Sequence, residues 1–128
     1  MDNILNHRSI RKYKSDPVSQ DTIDRILNAA IRASNTGHMQ AYSVIVTREN
    51  KIKKCLWESH FKQGFVLEAP VHLTFCADFN RFTKWCQNRK ADPGYDNYLS
   101  FLTGAIDAVI DYEGVVQLIK FSALMPDY

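Results

Sequence analysis

Two short runs limit what this chain can build. YSVIVT (Tyr42–Thr47) and VHLTFCA (Val71–Ala77) are β-branched and aromatic, six and seven residues long and bounded by polar or proline positions, which is the signature of buried strands. No other stretch reads as a strand. Two strands make a poor sheet, because a lone pair has little apolar face and no covered edge. The pattern therefore predicts either further strands outside this chain or cover from another chain.

Helical spacing accounts for most of the remainder. Ser19 is a good N-cap, since its hydroxyl can accept a free amide of the first turn, and Asp21 and Asp24 suit the positive end of a helix dipole. Ile23, Ile26, Leu27, Ala30 and Ile31 recur at helical intervals and mark a buried stripe. This helix is expected to end near Ser34, ahead of the turn residues Asn35, Thr36 and Gly37. Further helices are predicted from Lys51 to about His60 and from Arg81 to about Asn88, with Asp78 or Asn80 as the cap of the second. ADPGYDN (Ala91–Asn97) reads as a loop. From Tyr98 onward, Leu99, Leu102, Ile106, Val109 and Ile110 again follow helical spacing, and helical character is expected to continue past Gly114. The order helix, strand, helix, strand, helix, helix fits an α/β or an α+β layer structure.

Length and charge narrow the function classes. The 128 residues are enough for one domain with a real core. Sixteen basic and fourteen acidic side chains leave a net charge of +2, too weak a balance for a nucleic-acid binder. Cys55, Cys76 and Cys86 form no CxxC pair and have no regular spacing, so reduced thiols in a cytoplasmic protein are expected. No signal-peptide pattern and no run of ~20 apolar residues occurs, so no membrane partner is expected. His7, His38, His60 and His72 lack metal-ligand spacing, and no metal is expected. The dinucleotide-binding, P-loop and serine-hydrolase fingerprints are absent.

Two segments remain as candidate sites. HRSIRKYKSDPVS crowds His7, Arg8, Arg11, Lys12 and Lys14 together. It is either a solvated basic edge or an anion site in which Arg8 and Arg11 present planar forks to phosphate oxygens, with the Ser9 hydroxyl beside them. SNTGHMQAY (residues 34–42) is rich in small polar side chains and carries Gln40, a donor and acceptor in one group. It is either a plain connection or a loop suited to the polar edge of a flat heterocycle. Asp107, set within an apolar helix, is either buried against a partner or turned outward. Cys86, near Lys84 and Arg89, reads as a structural thiol.

Taken together, these motifs resemble one family. HRSIRKY, the helix RILNAAIRASNTGHMQAY, the strand YSVIVT, the segment FVLEAPVHLTFCAD and the helix start FLTGAIDAVI follow one another as in the FMN-dependent nitroreductases, which use NAD(P)H. The resemblance spans about His7 to Ile110 of a single domain, residues 1–128. It implies an α+β sandwich with a mainly antiparallel sheet between helices, incomplete at the C-terminus, because DYEGVVQLIKFSALMPDY matches none of the family's later parts. It further implies a homodimer binding FMN at the subunit interface. His7, Arg8, Ser9 and Arg11 would meet the phosphate and ribityl chain; Ser34, Asn35, Thr36, His38 and Gln40 would approach the flavin from the partner subunit; Gln63, in KQGF, would also contact the cofactor. His38 stands where relatives commonly have asparagine, and Ala41–Tyr42 where they often have proline–tryptophan. The implied activity is hydride transfer from NAD(P)H through FMN to a quinone, nitroaromatic or similar small acceptor, with no catalytic acid or base nominated in the protein. The alternative is a non-catalytic remnant that dimerises or binds a partner.

Overall fold

In the computed structural model, which describes Leu5, residues 9–94 and residues 97–124 with the side chains of the last helix given to Val116, chain order follows the sequence pattern closely. Helix α1 (Gln20–Ala30) leads through a single 3-10 turn (Thr36–His38) to strand β1 (Tyr42–Thr47). Helices α2 (Asn50–Ser59) and α3 (Phe65–Glu68) precede strand β2 (His72–Ala77), and α4 (Phe79–Asn88) and α5 (Tyr98–Leu124) follow it. Among the described residues the sheet is the antiparallel pair β1–β2, in register from Tyr42 opposite Ala77 to Thr47 opposite His72. The fold is α+β.

The caps work as their residue types dictate. Ser19 accepts the Thr22 amide at 3.1 Å and Asp78 accepts the Arg81 amide at 3.2 Å, each supplying an acceptor to a helix start that has none of its own. Ile23 and Ala30 of the first stripe are buried, but α1 stops earlier than expected. Arg32 and Ala33 bond back three residues, to Ala29 and Ala30, so the chain tightens and unwinds before Ser34, and Ile31 is left exposed.

Helix α5 is the hub: it packs on α1, on both strands and on α4. Gly104 permits the close approach, since a Cβ there would stand 3.1 Å from the Ala41 carbonyl oxygen and 3.5 Å from Ala77 Cβ. Farther along, Tyr112 meets Phe75 of β2 edge-on with ring centroids 5.6 Å apart.

The helix lies with an unexpected face inward. Ser100, Gly104, Asp107, Ala108, Asp111 and Val115 are buried, whereas Leu99, Leu102, Ile106, Val109 and Ile110 are exposed, Leu99 to 68% and Val109 to 61%. At 3.6 residues per turn these two sets fall on opposite sides of the helix. The apolar stripe thus points away from the rest of the described chain.

Helix α3 had no sequence signal, being four residues long, and it is held from outside. Buried Lys53 of α2 donates to the Ala69 carbonyl at 2.9 Å and to the Leu67 carbonyl at 3.4 Å, and His72 Nε2 lies 2.5 Å from the Val66 carbonyl. A cation at the C-terminal end of a helix meets the unsatisfied carbonyls and the negative end of the dipole. No helix among the described residues is long and apolar enough to cross a membrane.

Candidate functional site

The loop between α1 and β1 is a tightly constrained irregular segment. Gly37, His38 and Gln40 all have left-handed backbone, with φ of 57°, 59° and 47°. For His38 and Gln40 this costs roughly 1–2 kcal/mol each. Such conformations persist only where the surroundings enforce them, and they concentrate at functional sites.

Both ends of the loop are clamped. At its start, Asp107 Oδ1 accepts the Thr36 amide at 3.0 Å and the Thr36 hydroxyl at 2.9 Å across 71 residues of sequence. Within the loop, Asn35 Oδ1 accepts the Gln40 amide at 3.4 Å. At its end, an Arg81 guanidinium nitrogen donates to the Gln40 carbonyl, and the Asp78 amide donates to the Ala41 carbonyl at 2.8 Å. Asp78 also accepts the Ser43 hydroxyl, tying β1 to the start of α4. That hydroxyl, followed by the Arg81 backbone N–H and guanidinium, holds the Asp78 carboxyl below the usual carboxylate range against an opposing contribution from burial.

Behind the loop lies a second buried carboxylate. Asp111 sits one turn beyond Asp107, and both are 1% exposed. Neither Asp111 oxygen, nor Asp107 Oδ2, has a well-formed hydrogen bond among the described residues. The Tyr42 hydroxyl is close enough to perturb Asp111 and be perturbed by it. Burial first, then the Asp111 charge, push the Tyr42 phenol up to about 12, and burial pushes the Asp111 carboxyl up. The question of whether Asp107 is buried or outward-facing is answered by Thr36.

The candidate residues divide into three groups. Asn35, Thr36 and Gln40 are brought together in the clamped loop, with Ser34 and His38 exposed on it. Ser9 and Arg11 are exposed on irregular chain ahead of α1, and Gln63 is exposed between α2 and α3. No described hydrogen bond joins either group to the loop. His7 and Arg8 lie outside the described residues. Sequence reasoning singled out Asp107 without its partner and missed Arg81 altogether; neither bond has a local signal, because each spans more than 40 positions. Cys86 is buried, in keeping with a structural thiol.

A groove of about 400 Å³ also opens between α2, β2 and α5, lined by Leu56, His72, Phe75, Val109 and Tyr112 among others. It contains none of the candidate residues. Its walls are mainly apolar and it is wide open, so it is uncovered packing surface, whereas the loop combines strain, clamps and polar groups. Among the described residues no cluster of three or more His, Cys, Asp or Glu could hold a metal.

The sequence profile of the nitroreductase family matches residues 4–105. The chain belongs to the nitroreductase family. An NAD(P)H FMN reductase from Bacillus subtilis (strain 168) is 40% identical over 78 residues, covering 61% of this chain and 31% of that protein. An NADPH-dependent oxidoreductase from Staphylococcus aureus (strain USA300) is 32% identical over 114 residues, covering 88% and 45%. In three dimensions, an oxidoreductase from Bacteroides fragilis superposes with a TM-score of 0.92 at 46% identity, over 95% of this chain and 50% of that one. This nitroreductase-family chain thus spans half or less of the length of these three relatives. Over that half, its backbone follows the family fold closely.

Proposed function

We propose that this chain is an FMN-binding oxidoreductase segment of the nitroreductase type. It would draw reducing equivalents from NAD(P)H and deliver them to a nitroaromatic, quinone or similar small acceptor. The observation that carries this reading is the clamped, left-handed loop at residues 34–40, in a chain whose Bacillus subtilis relative is an FMN reductase.

The residues present fit the group. Arg8 and Arg11 supply forked donors for a phosphate and Ser9 a hydroxyl, each charge-assisted hydrogen bond contributing roughly 1.5–3 kcal/mol. Ser34, Asn35, His38 and Gln40 offer amide, hydroxyl and imidazole groups on backbone already fixed before any ligand arrives, which lowers the ordering cost of binding. Gln63 adds a further amide. Asn35 and Gln40 are joined to each other, so they would present one preformed polar edge. When bound, FMN supplies the redox chemistry, taking two electrons from a nicotinamide and returning them to the acceptor. The protein's part is to bind, orient and exclude water; no side chain is assigned as acid, base or nucleophile.

A homodimer belongs to the same proposal, because the exposed stripe of α5 and the two sheet edges left unpaired among the described residues need a cover. That surface also motivates the second reading, a module that dimerises or binds a partner without flavin. The deciding experiment is FMN titration of the desalted protein, followed by flavin fluorescence and visible absorbance, alongside a sizing column. Stoichiometric uptake that drops at least about tenfold in affinity in an Arg8→Ala/Arg11→Ala variant supports the oxidoreductase reading. A folded oligomer that retains no flavin overturns it in favour of the second.

A further inference from the structure

We infer that Asp107 is the positioning residue of the 34–40 loop: its single oxygen Oδ1, holding both Thr36 donors, sets the left-handed path of Gly37, His38 and Gln40. The consequence for flavin binding rests on the function proposed above; the effect on the loop does not.

The argument starts from the donors. Thr36 has one amide and one hydroxyl proton to give, and both go to the same buried oxygen, at 3.0 and 2.9 Å. That leaves Thr36 no donor for a ligand, so it serves as the loop's anchor. The three residues that the anchored turn feeds into include two non-glycine positions at positive φ. An unclamped loop would relax from that strain toward right-handed or extended backbone.

The acceptor is equally committed. Asp107 is 1% exposed and rises from α5, the helix that packs on α1 and on both strands. Its position is thus fixed by the body of the fold and not by the loop. Two donors converging on a carboxylate oxygen make stronger bonds than they would with a neutral acceptor, and the acceptor is buried although Thr36 itself is exposed. The clamp at the other end, through Arg81 and the Asp78 amide, fixes Gln40 and Ala41 but cannot by itself determine the turn at Thr36–His38. Asp107 is the described side chain that reaches that turn from outside it.

Asp107→Asn keeps an acceptor at Oδ1, whereas Asp107→Ala removes it, so the pair separates positioning from bulk stability. The experiment measures amide hydrogen exchange by NMR at residues 36–40 and, as an internal reference, at Ser43 and Ile45 of β1, which lie on the hydrogen-bonded pairs of the β1–β2 ladder. In Asp107→Ala the Thr36 amide is expected to exchange at least about tenfold faster while the β1 amides keep their rates, and Asp107→Asn restores protection to within about threefold. Unchanged exchange at Thr36, or equal loss across the loop and β1, overturns the inference. Should Asp107→Ala fail to fold, Thr36→Val, which removes only the hydroxyl donor, decides it: faster exchange confined to residues 36–40 supports the clamp, and no local change overturns it. FMN affinity measured on the same proteins then reads the functional consequence separately. Parallel loss in Asp107→Ala and recovery in Asp107→Asn show that the clamp prepares the flavin surface. Loop loosening in a protein that takes up no FMN in any form leaves the clamp standing and defeats the flavin reading.

Discussion

Helices α1 and α5 pack against each other yet solve burial in opposite ways. In α1 the apolar positions Ile23 and Ala30 face inward and the charged residues face water, the ordinary arrangement for a surface helix. In α5 the inward face carries Ser100, Asp107 and Asp111, while Leu99, Ile106 and Val109 face out. A helix that is polar inside and apolar outside gains little from folding as this chain alone. It is shaped for a setting in which its outer face is covered too, and one of its inner polar groups, Asp107, is spent on fixing a loop. One helix is built for stability, the other for a site and an interface.

The strongest way to break this contrast is in α1. Ile23→Ala should destabilise the chain by about 3 kcal/mol, the usual cost of a large-to-small change at a fully packed site, seen as a lower urea midpoint. Next comes the contact that seats α5. Gly104→Ala pushes a methyl group to 3.1 Å from the Ala41 carbonyl and should cost about 2 kcal/mol, with thermal unfolding as the readout.

Asp111 should move stability the other way. Replacing a buried carboxyl that lacks a well-formed hydrogen bond by an apolar group removes a desolvation cost, so Asp111→Leu should gain about 1 kcal/mol at neutral pH. The pH dependence gives the sign. The unfolded chain releases this proton near the ordinary value of 3.8, while the folded chain holds it to higher pH. Between the two values the native state binds the extra proton, so stability falls as pH rises through that window, and the loss is complete above the folded value. Asp78 acts oppositely: its lowered carboxyl stabilises the fold above its ordinary value, and this is lost as pH falls through the folded one. Urea midpoints from pH 4 to 8 should show a downward slope in the wild type that flattens in Asp111→Leu. The smallest effect on stability belongs to the outer stripe. Leu99→Ser/Val109→Ser should change the unfolding free energy by less than about 0.5 kcal/mol per site, yet shift a sizing column toward the monomer. A large destabilisation there would mean that the stripe is core after all.

Local signals carried most of the fold. β1 has the limits its residues predict, and the Ser19 and Asp78 caps form because a short polar side chain at a helix start needs no distant help. The sequence also marked out residues 34–42 as polar and turn-rich. What it could not show is what disciplines that loop, since Thr36 and Asp107 are 71 positions apart and Arg81 reaches Gln40 across 41. Lys53 misleads for a related reason. It shares the inward face of α2 with Leu56 and Trp57, where a lysine is unexpected, and the carbonyls at the end of α3 hold its ammonium there. The apolar stripe of α5 was plain from spacing, while its outward direction depends on which elements are there to pack against it.

Tyr42 begins β1 directly beneath the loop, and its phenol is pushed up to about 12 by burial and by the neighbouring Asp111 charge. An ordinary tyrosine forms its phenolate near pH 10. Tyr42 is therefore expected to stay neutral above the pH at which an ordinary tyrosine ionises. Its phenol becomes an optical label of the junction between strand and helix: a late phenolate step in the near-ultraviolet absorbance is the expected mark of an intact junction, and loss of that step the expected mark of its opening.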